Sequence, residues 1–309
     1  MEEIKLFAPA TVANVSCGFD VLGFCLDPIG DEMIIRKSDR PGVHILKIEG
    51  QDLPLATKKN VAGVAAEALL REVDAPCGFA LEIKKNIKAG SGIGSSAASA
   101  AGAVFGINEL LNRPFAPKEL IRFAMEGEKL ASGAAHADNV SPALLGGFTL
   151  VRCNQTADVI ALPSPPDLYA TIIHPQIELR TADARSILKR TIELSKAIEQ
   201  WGNLAALVSG LYTNNYDQIA RSLVDVIIEP ERSALIPYFD QIKTEALASG
   251  ALGSGISGSG PSIYALSKGH DTAHKVKTAM ENIYTPLAIP FDTYVSKINT
   301  QGIKILEQK

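Results

Sequence analysis

Cysteine is scarce in this chain. Cys17, Cys25, Cys77 and Cys153 are the four among 309 residues. No two of them form a C-x-x-C pair, and none has His or Cys neighbours at metal-ligand spacing. That argues against a disulfide framework and a thiolate metal site, and leaves four reduced, mostly buried thiols. Long apolar runs are missing as well: none approaches the ~18 residues of a membrane span. The opening Met1-Glu2-Glu3-Ile4-Lys5 is acidic and lacks the apolar stretch of a secretory signal. A cytoplasmic chain with no membrane partner is the expectation. Nor is there an excess of positive charge. Thirty Lys and Arg against 34 Asp and Glu give a formal net charge of −4, which argues against a nucleic-acid or anionic-membrane surface.

Against these absences stand 25 glycines and 46% hydrophobic residues, enough for a proper core and for two domains of ordinary size. The most informative stretch is Gly90-Ser91-Gly92-Ile93-Gly94-Ser95-Ser96-Ala97-Ala98. Residues 79–83 alternate like a strand before it, and an alanine-rich run after it reads as a helix. Strand, glycine loop and helix make an anion site: glycines admit a ligand close to the backbone, and first-turn N–H groups and the helix dipole favour negative charge. Phosphate is the expected guest. No Lys follows the last glycine, so this is no Walker A loop, and Gly-x-Gly-x-Gly is not the dinucleotide spacing. A tight connection is the plainer reading of such a loop, and Ser95 and Ser96 also serve as helix caps. Two basic clusters, Lys84/Lys85/Lys88 and Arg180/Arg185/Lys189/Arg190, read as solvated faces or as partners for an anion.

Along the chain, strands are expected at 4–8, 21–27, 32–37, 43–49, 79–85, 146–152 and 158–162, with helices at 60–73, 96–112 and 118–131. Pro163-Ser164-Pro165-Pro166 is the best linker. Beyond it come a strand at 169–174, a nearly all-helical stretch over 184–249 with breaks near Gly202, Asn214-Asn215 and Pro230, strands at 252–256 and 263–266, a helix at 271–284 and a last strand at 293–298. The layout is α+β, with domains expected at 1–163 and 164–309.

Three further segments carry chemistry. Pro9-Ala10-Thr11-Val12-Ala13-Asn14 leads to Gly18-Phe19-Asp20, and Asn14 and Asp20 are polar residues in an apolar, turn-rich context. Asn and Asp also simply fix turns. Glu126-Gly127-Glu128 precedes His136-Ala137-Asp138-Asn139, so a helical carboxylate and an imidazole-bearing loop could face one site. Gly253-Ser254-Gly255-Ile256-Ser257-Gly258-Ser259-Gly260-Pro261 contains Gly-x-Gly-x-x-Gly, but a strand follows it rather than a helix, so a dehydrogenase reading fails its context.

These segments, in this order and spanning nearly the whole chain, resemble the three motifs of the GHMP small-molecule kinase family. The Pro9–Asp20 segment with His136-Ala137-Asp138-Asn139-Val140 resembles its homoserine kinase branch in particular. The resemblance implies a ribosomal protein S5 domain 2-like N-terminal domain and a ferredoxin-like C-terminal one. It implies ATP and Mg²⁺ as cofactors, L-homoserine as substrate, O-phospho-L-homoserine and ADP as products within threonine biosynthesis, and a homodimer. By the same resemblance, Asn14, Asp20, His136 and Asn139 surround homoserine, and Thr181, Arg185 and Arg232 grip its carboxylate. Asn60 lies near the adenine. Gly90, Ser91, Gly92, Ile93, Gly94, Ser95, Ser96 and Ala97 cradle the phosphates, and Ser96 and Glu128 hold Mg²⁺.

The chemistry is independently sensible. A guanidinium fork suits a carboxylate. Asp20 and the amide oxygen of Asn14 suit an ammonium. Mg²⁺ takes few protein ligands beside phosphate oxygens and water. Related kinases use an Asp as base where Asn139 stands, and a neutral amide abstracts no proton. The proton then passes to a phosphate oxygen, with His136 the rival base. Lys88 stands where the family usually has Pro ahead of the loop; it lowers the loop's rigidity or adds a phosphate-directed charge. A kinase of the same family acting on mevalonate or shikimate, and a non-catalytic nucleotide sensor, remain the alternatives.

Overall fold

The computed structural model describes residues 2–177 and 179–309; Met1 lies outside them. The chain is built on two sheets. In the first, β1 (Glu3–Val15) and β2 (Gly18–Ser38) form a long antiparallel hairpin. Ile4, Leu6, Ala8, Ala10 and Val12 recur every second residue of β1 and are fully buried, as one face of a strand requires. β3 (Val43–Glu49) and β4 (Gly78–Lys84) extend the sheet beyond β2, while β5 (Phe148–Cys153) and β6 (Asp158–Leu162) branch from β2. Four helices accompany this sheet: α1 (Val61–Leu70), α2 (Ser95–Leu110), α3 (Leu120–Ser132) and α4 (Val140–Leu145).

Helix α2 lies between the sheet and the other helices, and its composition follows from that. A helix buried on nearly every side has no polar face to offer. Its residues are small because its neighbours are close. A Cβ on Gly102 would sit 2.4 Å from Met33 Sδ, and one on Gly106 2.4 Å from Ile35 Cδ1.

The second sheet has the order β10-β7-β9-β8, from β7 (Leu168–Pro175), β8 (Ala251–Ile256), β9 (Ile263–Lys268) and β10 (Phe291–Lys297). α5 (Thr181–Ser186), α6 (Leu194–Thr213), α7 (Tyr216–Ser222) and α8 (Glu229–Arg232) fill the stretch after β7. α9 (Phe239–Ala248) and α10 (His270–Tyr284) pack on the sheet around Ile173, Ile242, Val276, Met280 and Tyr284. The last strand, β11 (Lys304–Gln308), returns to the first sheet and pairs with β1. The sheets change over between β6 and β7, across Pro163-Ser164-Pro165-Pro166. We propose the domain division there, at 163/164, with β11 counted in the N-terminal layer.

Three differences from the sequence reading have physical reasons. The Pro9–Asp20 segment is largely strand rather than turn-rich. Its proline is tolerated because the register slips between Pro9 and Thr11, and the turn is confined to Asn14–Asp20. Gly202 does not break α6: its Cβ position is open space, and the cost of about 1 kcal/mol for a helical glycine is small over 20 residues. β11 was not expected because its five residues, with Leu306 exposed, carry no clean alternation.

Candidate active site

The strand–loop–helix unit is present as expected. Gly90, Gly92 and Gly94 have φ of 74°, 83° and 71°. At two of them only glycine fits. A Cβ on Gly92 would lie 2.6 Å from the carbonyl oxygens of Ser257 and Gly260, and one on Gly94 2.1 Å from Thr11 Oγ1. The third glycine segment is thus a buttress. Ser257 Oγ donates to the Gly92 carbonyl at 2.7 Å, and Ser262 Oγ to the Ser91 carbonyl at 2.6 Å. Helix α2 begins behind the loop with no side-chain cap and no acidic residue in its first turn. Its first N–H groups therefore remain for an anion.

The loop opens into a cleft of about 990 Å³ between the two sheets' domains, ample for a nucleotide and a small second substrate. Lys88, Gly90, Ser91, Gly92, Gly94, Ser95 and Ser96 line it. Ile93 and Ala97 face the core instead. Ser95 Oγ is committed to the Ile87 carbonyl at 2.8 Å. Asn60 stands behind the lining as the N-cap of α1: its Oδ1 accepts from Ala62 N at 3.0 Å and its Nδ2 donates to the Pro54 carbonyl at 2.9 Å. Lys88 Nζ reaches across to Gln176 Oε1 on the other domain at 2.5 Å.

Helix α3 brings Glu128 to the phosphate end, beside the Ser96 hydroxyl. Its Oε1 is fully buried without a hydrogen-bond partner. Burial pushes the carboxyl up to about 6, and the Ser96 hydroxyl and Lys85 hold it from going higher. An orphaned carboxylate oxygen next to a hydroxyl is a fitting pair of ligands for Mg²⁺ completed by phosphate and water. Beneath it Lys85, almost wholly buried, pairs with fully buried Asp31 and donates to the Ser95 carbonyl at 2.8 Å and Ser99 Oγ at 2.9 Å. Asp31 Oδ1 in turn accepts from the backbone of Asn86 and Ile87 at 2.8 and 2.9 Å. Burial pushes Asp31 up and Lys85 down, and each charge partly offsets that for the other.

The opposite end of the cleft carries charges of both signs. Asn14 and Asp20 both sit at positive φ, 58° and 59°. The Asn14 amide holds that turn: its Oδ1 accepts from Asp20 N at 2.8 Å and its Nδ2 donates to the Gly258 carbonyl at 2.6 Å. That oxygen positions Asp20, and the residue also lines the cleft, where the sequence expects its second lone pair to meet an ammonium. Arg185, on α5, forks Asp20 at 2.8 and 3.0 Å, and His136 Nδ1 lies 3.4 Å from the same carboxylate. Burial lowers the His136 pKa, against the opposing charge of Asp20. Thr181 Oγ1 meets Ser259 Oγ at 3.2 Å at the cleft wall.

Arg232 is buried, and no carboxylate lies within 4.0 Å of it among the described residues. It donates to the carbonyls of Ala184 at 2.9 Å and Gly258 at 3.3 Å and lies over the Phe19 ring, 4.9 Å from its centroid. Burial and neighbouring Arg185 pull its pKa down to about 10. A buried, unpaired guanidinium lining a cleft is costly unless an anion arrives.

Sequence reasoning missed Phe19, which floors both guanidinium groups, and Asp138. It missed His174 too, whose ring meets Ser262 Oγ at 3.2 Å behind the glycine loop. Asp138 lines the cleft yet is 4% exposed, and burial with the charges of Asp20 and Glu128 pushes its carboxyl up to about 7. A carboxyl raised in the folded state stabilises fully below its unfolded pKa, and that stability is lost as pH rises through the folded one. Asp138→Asn is therefore expected to match the wild type near pH ~4 and to melt several degrees higher near pH ~8. Melting curves at both pH values test this; an equal difference at both would contradict the assignment.

Residues 59–147 match the GHMP kinases N terminal domain and residues 194–285 the GHMP kinases C terminal domain. The chain belongs to the GHMP kinase family. This GHMP kinase is 47% identical to a homoserine kinase of Chlorobium phaeobacteroides strain BS1, over 99% of this chain and 100% of that one. The crystal structure of homoserine kinase from Cytophaga hutchinsonii ATCC 33406 is 51% identical, covers 99% of this chain and 98% of its own, and superposes with a TM-score of 0.95. Mevalonate kinase of L. major in complex with R-mevalonate shares the fold at 15% identity and a TM-score of 0.71, covering 95% of this chain and 96% of its own. The two-domain α+β GHMP kinase fold is thus the one expected from the motifs, and ATP use comes with the family. No helix among the described residues is long and apolar enough to cross a membrane.

Proposed function

We propose that this GHMP kinase transfers the γ-phosphoryl group of ATP to the side-chain hydroxyl of L-homoserine, giving O-phospho-L-homoserine and ADP in the cytoplasmic route to threonine. The observation that carries the reading is Arg232, buried and unpaired at the end of the cleft, with Arg185 and Asp20 beside it. Two guanidinium groups and one carboxylate in one pocket complement an amino acid's carboxylate and ammonium. Mevalonate and shikimate bring a carboxylate but no ammonium for Asp20.

The glycine loop and the first turn of α2 bind the phosphates, with Lys88 at the rim. Ser96 and Glu128 hold Mg²⁺, which when bound neutralises charge on the phosphates. Arg232, Arg185 and Thr181 orient the substrate carboxylate, and Asp20 its ammonium, with His136 closing the pocket. Asn139 fixes the hydroxyl. The new O–P bond forms as the bond to the ADP oxygen breaks, and the hydroxyl proton leaves to a phosphate oxygen. Rate then comes from positioning and charge stabilisation. A homodimer belongs to the same reading. Leu194, Ile198, Trp201 and Tyr212 form one apolar strip on the outer face of α6, each more than half exposed. The net charge of −4 leaves nucleic acid out of it.

The substrate assignment is tested by L-homoserine against its amide, in wild type and in Arg232→Met. The wild type is expected to favour the carboxylate by roughly 10–150-fold in kcat/KM, the equivalent of about 1.5–3 kcal/mol for charged hydrogen bonds. Arg232→Met is expected to erase most of that preference. Equal preference in both enzymes would remove Arg232 from the carboxylate.

A further inference from the structure

The Asn139 side chain has a polarity that sequence could not assign. Thr11 Oγ1 donates to Asn139 Oδ1 at 2.8 Å. Thr11 is fully buried in β1, on a stretch anchored by its own N–H donating to the Ile93 carbonyl at 3.2 Å. Asn139 Oδ1 is the acceptor this hydroxyl meets among the described residues. Turned round, the amide would donate its N–H to Thr11 and leave the buried hydroxyl proton without an acceptor, so the observed orientation is favoured, with the NH₂ toward the cleft that Asn139 lines. The pair sits directly under the loop. A Cβ on Gly94 would lie 2.1 Å from Thr11 Oγ1 and 3.0 Å from Asn139 Oδ1. The glycine just before α2 is therefore where the Thr11–Asn139 pair and the phosphate-binding helix N-terminus meet.

We propose that Thr11 is a positioning residue for phosphoryl transfer, fixing the Asn139 amide so that it donates hydrogen bonds to the reacting oxygens and never presents its own oxygen to them. The inference rests on the kinase reading above and deepens it. Phosphoryl transfer places negative oxygens at the reacting centre. An amide N–H stabilises them, whereas a flipped amide aims a lone pair at them. Without the hydroxyl, both orientations become accessible. The fraction of enzyme with the donor facing the cleft falls, and the rate falls with that fraction.

The test is a double-mutant cycle run with Mg-ATP and whichever alcohol the wild-type enzyme turns over. Thr11→Val keeps the shape and removes the donor. It is expected to lower kcat about 10–100-fold, the loss of one well-placed hydrogen bond, with both Michaelis constants within about twofold of wild type. Thr11→Ser is expected to restore kcat. Thr11→Val combined with Asn139→Ala is expected to be no slower than Asn139→Ala alone, because Thr11 acts only through that amide. Melting curves accompany each variant, and a Ser-against-Ala contrast at position 11 repeats the test should the valine variant not fold. Full activity of Thr11→Val, failure of Thr11→Ser to rescue, or losses that multiply in the double variant would each overturn the proposal. An acceptor other than L-homoserine would retire the substrate reading and leave the cycle as informative as before.

Discussion

Glu128→Gln is expected to lower kcat about 10²–10³-fold, the scale of removing one preorganised electrostatic partner from a transition state. Gln keeps the volume and the neighbouring Ser96 contact but cannot balance a divalent cation. The present carboxylate has one oxygen fully buried and unpartnered, which a bound cation would satisfy. The pH dependence follows from its position. Burial raises the carboxyl to about 6, and in the proposed role the ionised form is the ligand. Mg²⁺ affinity of the wild type is therefore expected to climb as pH rises through about 6, while the Gln variant binds weakly throughout. Stability runs the opposite way. The raised pKa favours the folded state below the unfolded value and withdraws that benefit as pH rises through about 6, so the Gln variant is expected to be the more thermostable above it. Steady-state kinetics over a Mg²⁺ series, with melting curves alongside, read both effects. An unchanged kcat at low Mg²⁺ would take Glu128 out of the metal site.

Lys85→Met is expected to cost about 3–5 kcal/mol of folding stability, the price of leaving a buried charge without its partner. Asp31 is fully buried and its carboxylate is arranged around Lys85. Two of the ammonium's other bonds, to the Ser95 carbonyl and to Ser99, end on the first turns of α2. The same substitution thus loosens the helix N-terminus proposed to receive the phosphates, and ATP affinity is expected to fall with stability. Asp31→Asn combined with Lys85→Met is expected to recover much of the stability, because no charge is stranded, and less of the ATP affinity. Urea unfolding of the wild type and the two variants separates the cases. A single-variant loss under about 1 kcal/mol would mean that Asp31 finds another partner or a proton.

The loop at Gly90–Ser96 was legible because its chemistry is local: three glycines, a strand before and a helix after. The α+β layout was legible for the same reason. What sequence could not supply was pairing across distance. Nothing near Gly253–Pro261 says that it braces a loop more than 160 residues earlier, through Ser257 on Gly92 and Ser262 on Ser91. Asn14 and Asn60 each hold a backbone turn, Asn14 while lining the cleft and Asn60 behind it, a difference that an amide in sequence does not carry. Arg232 is placed at a carboxylate by resemblance alone in the sequence; its burial without a carboxylate partner is what the structure adds. Asp138 was passed over beside two more suggestive neighbours, and only its enclosure in the cleft marks it.

The most direct measurement is ADP release from Mg-ATP with L-homoserine, mevalonate, shikimate, galactose and no acceptor, side by side. Turnover on L-homoserine well above every other acceptor is the expected result. Turnover on mevalonate or shikimate instead would keep the glycine loop and Glu128 in their roles and contradict those given to Asp20, Arg185 and Arg232. ATP binding with no turnover on any acceptor would contradict the account of this cleft as a phosphotransferase site.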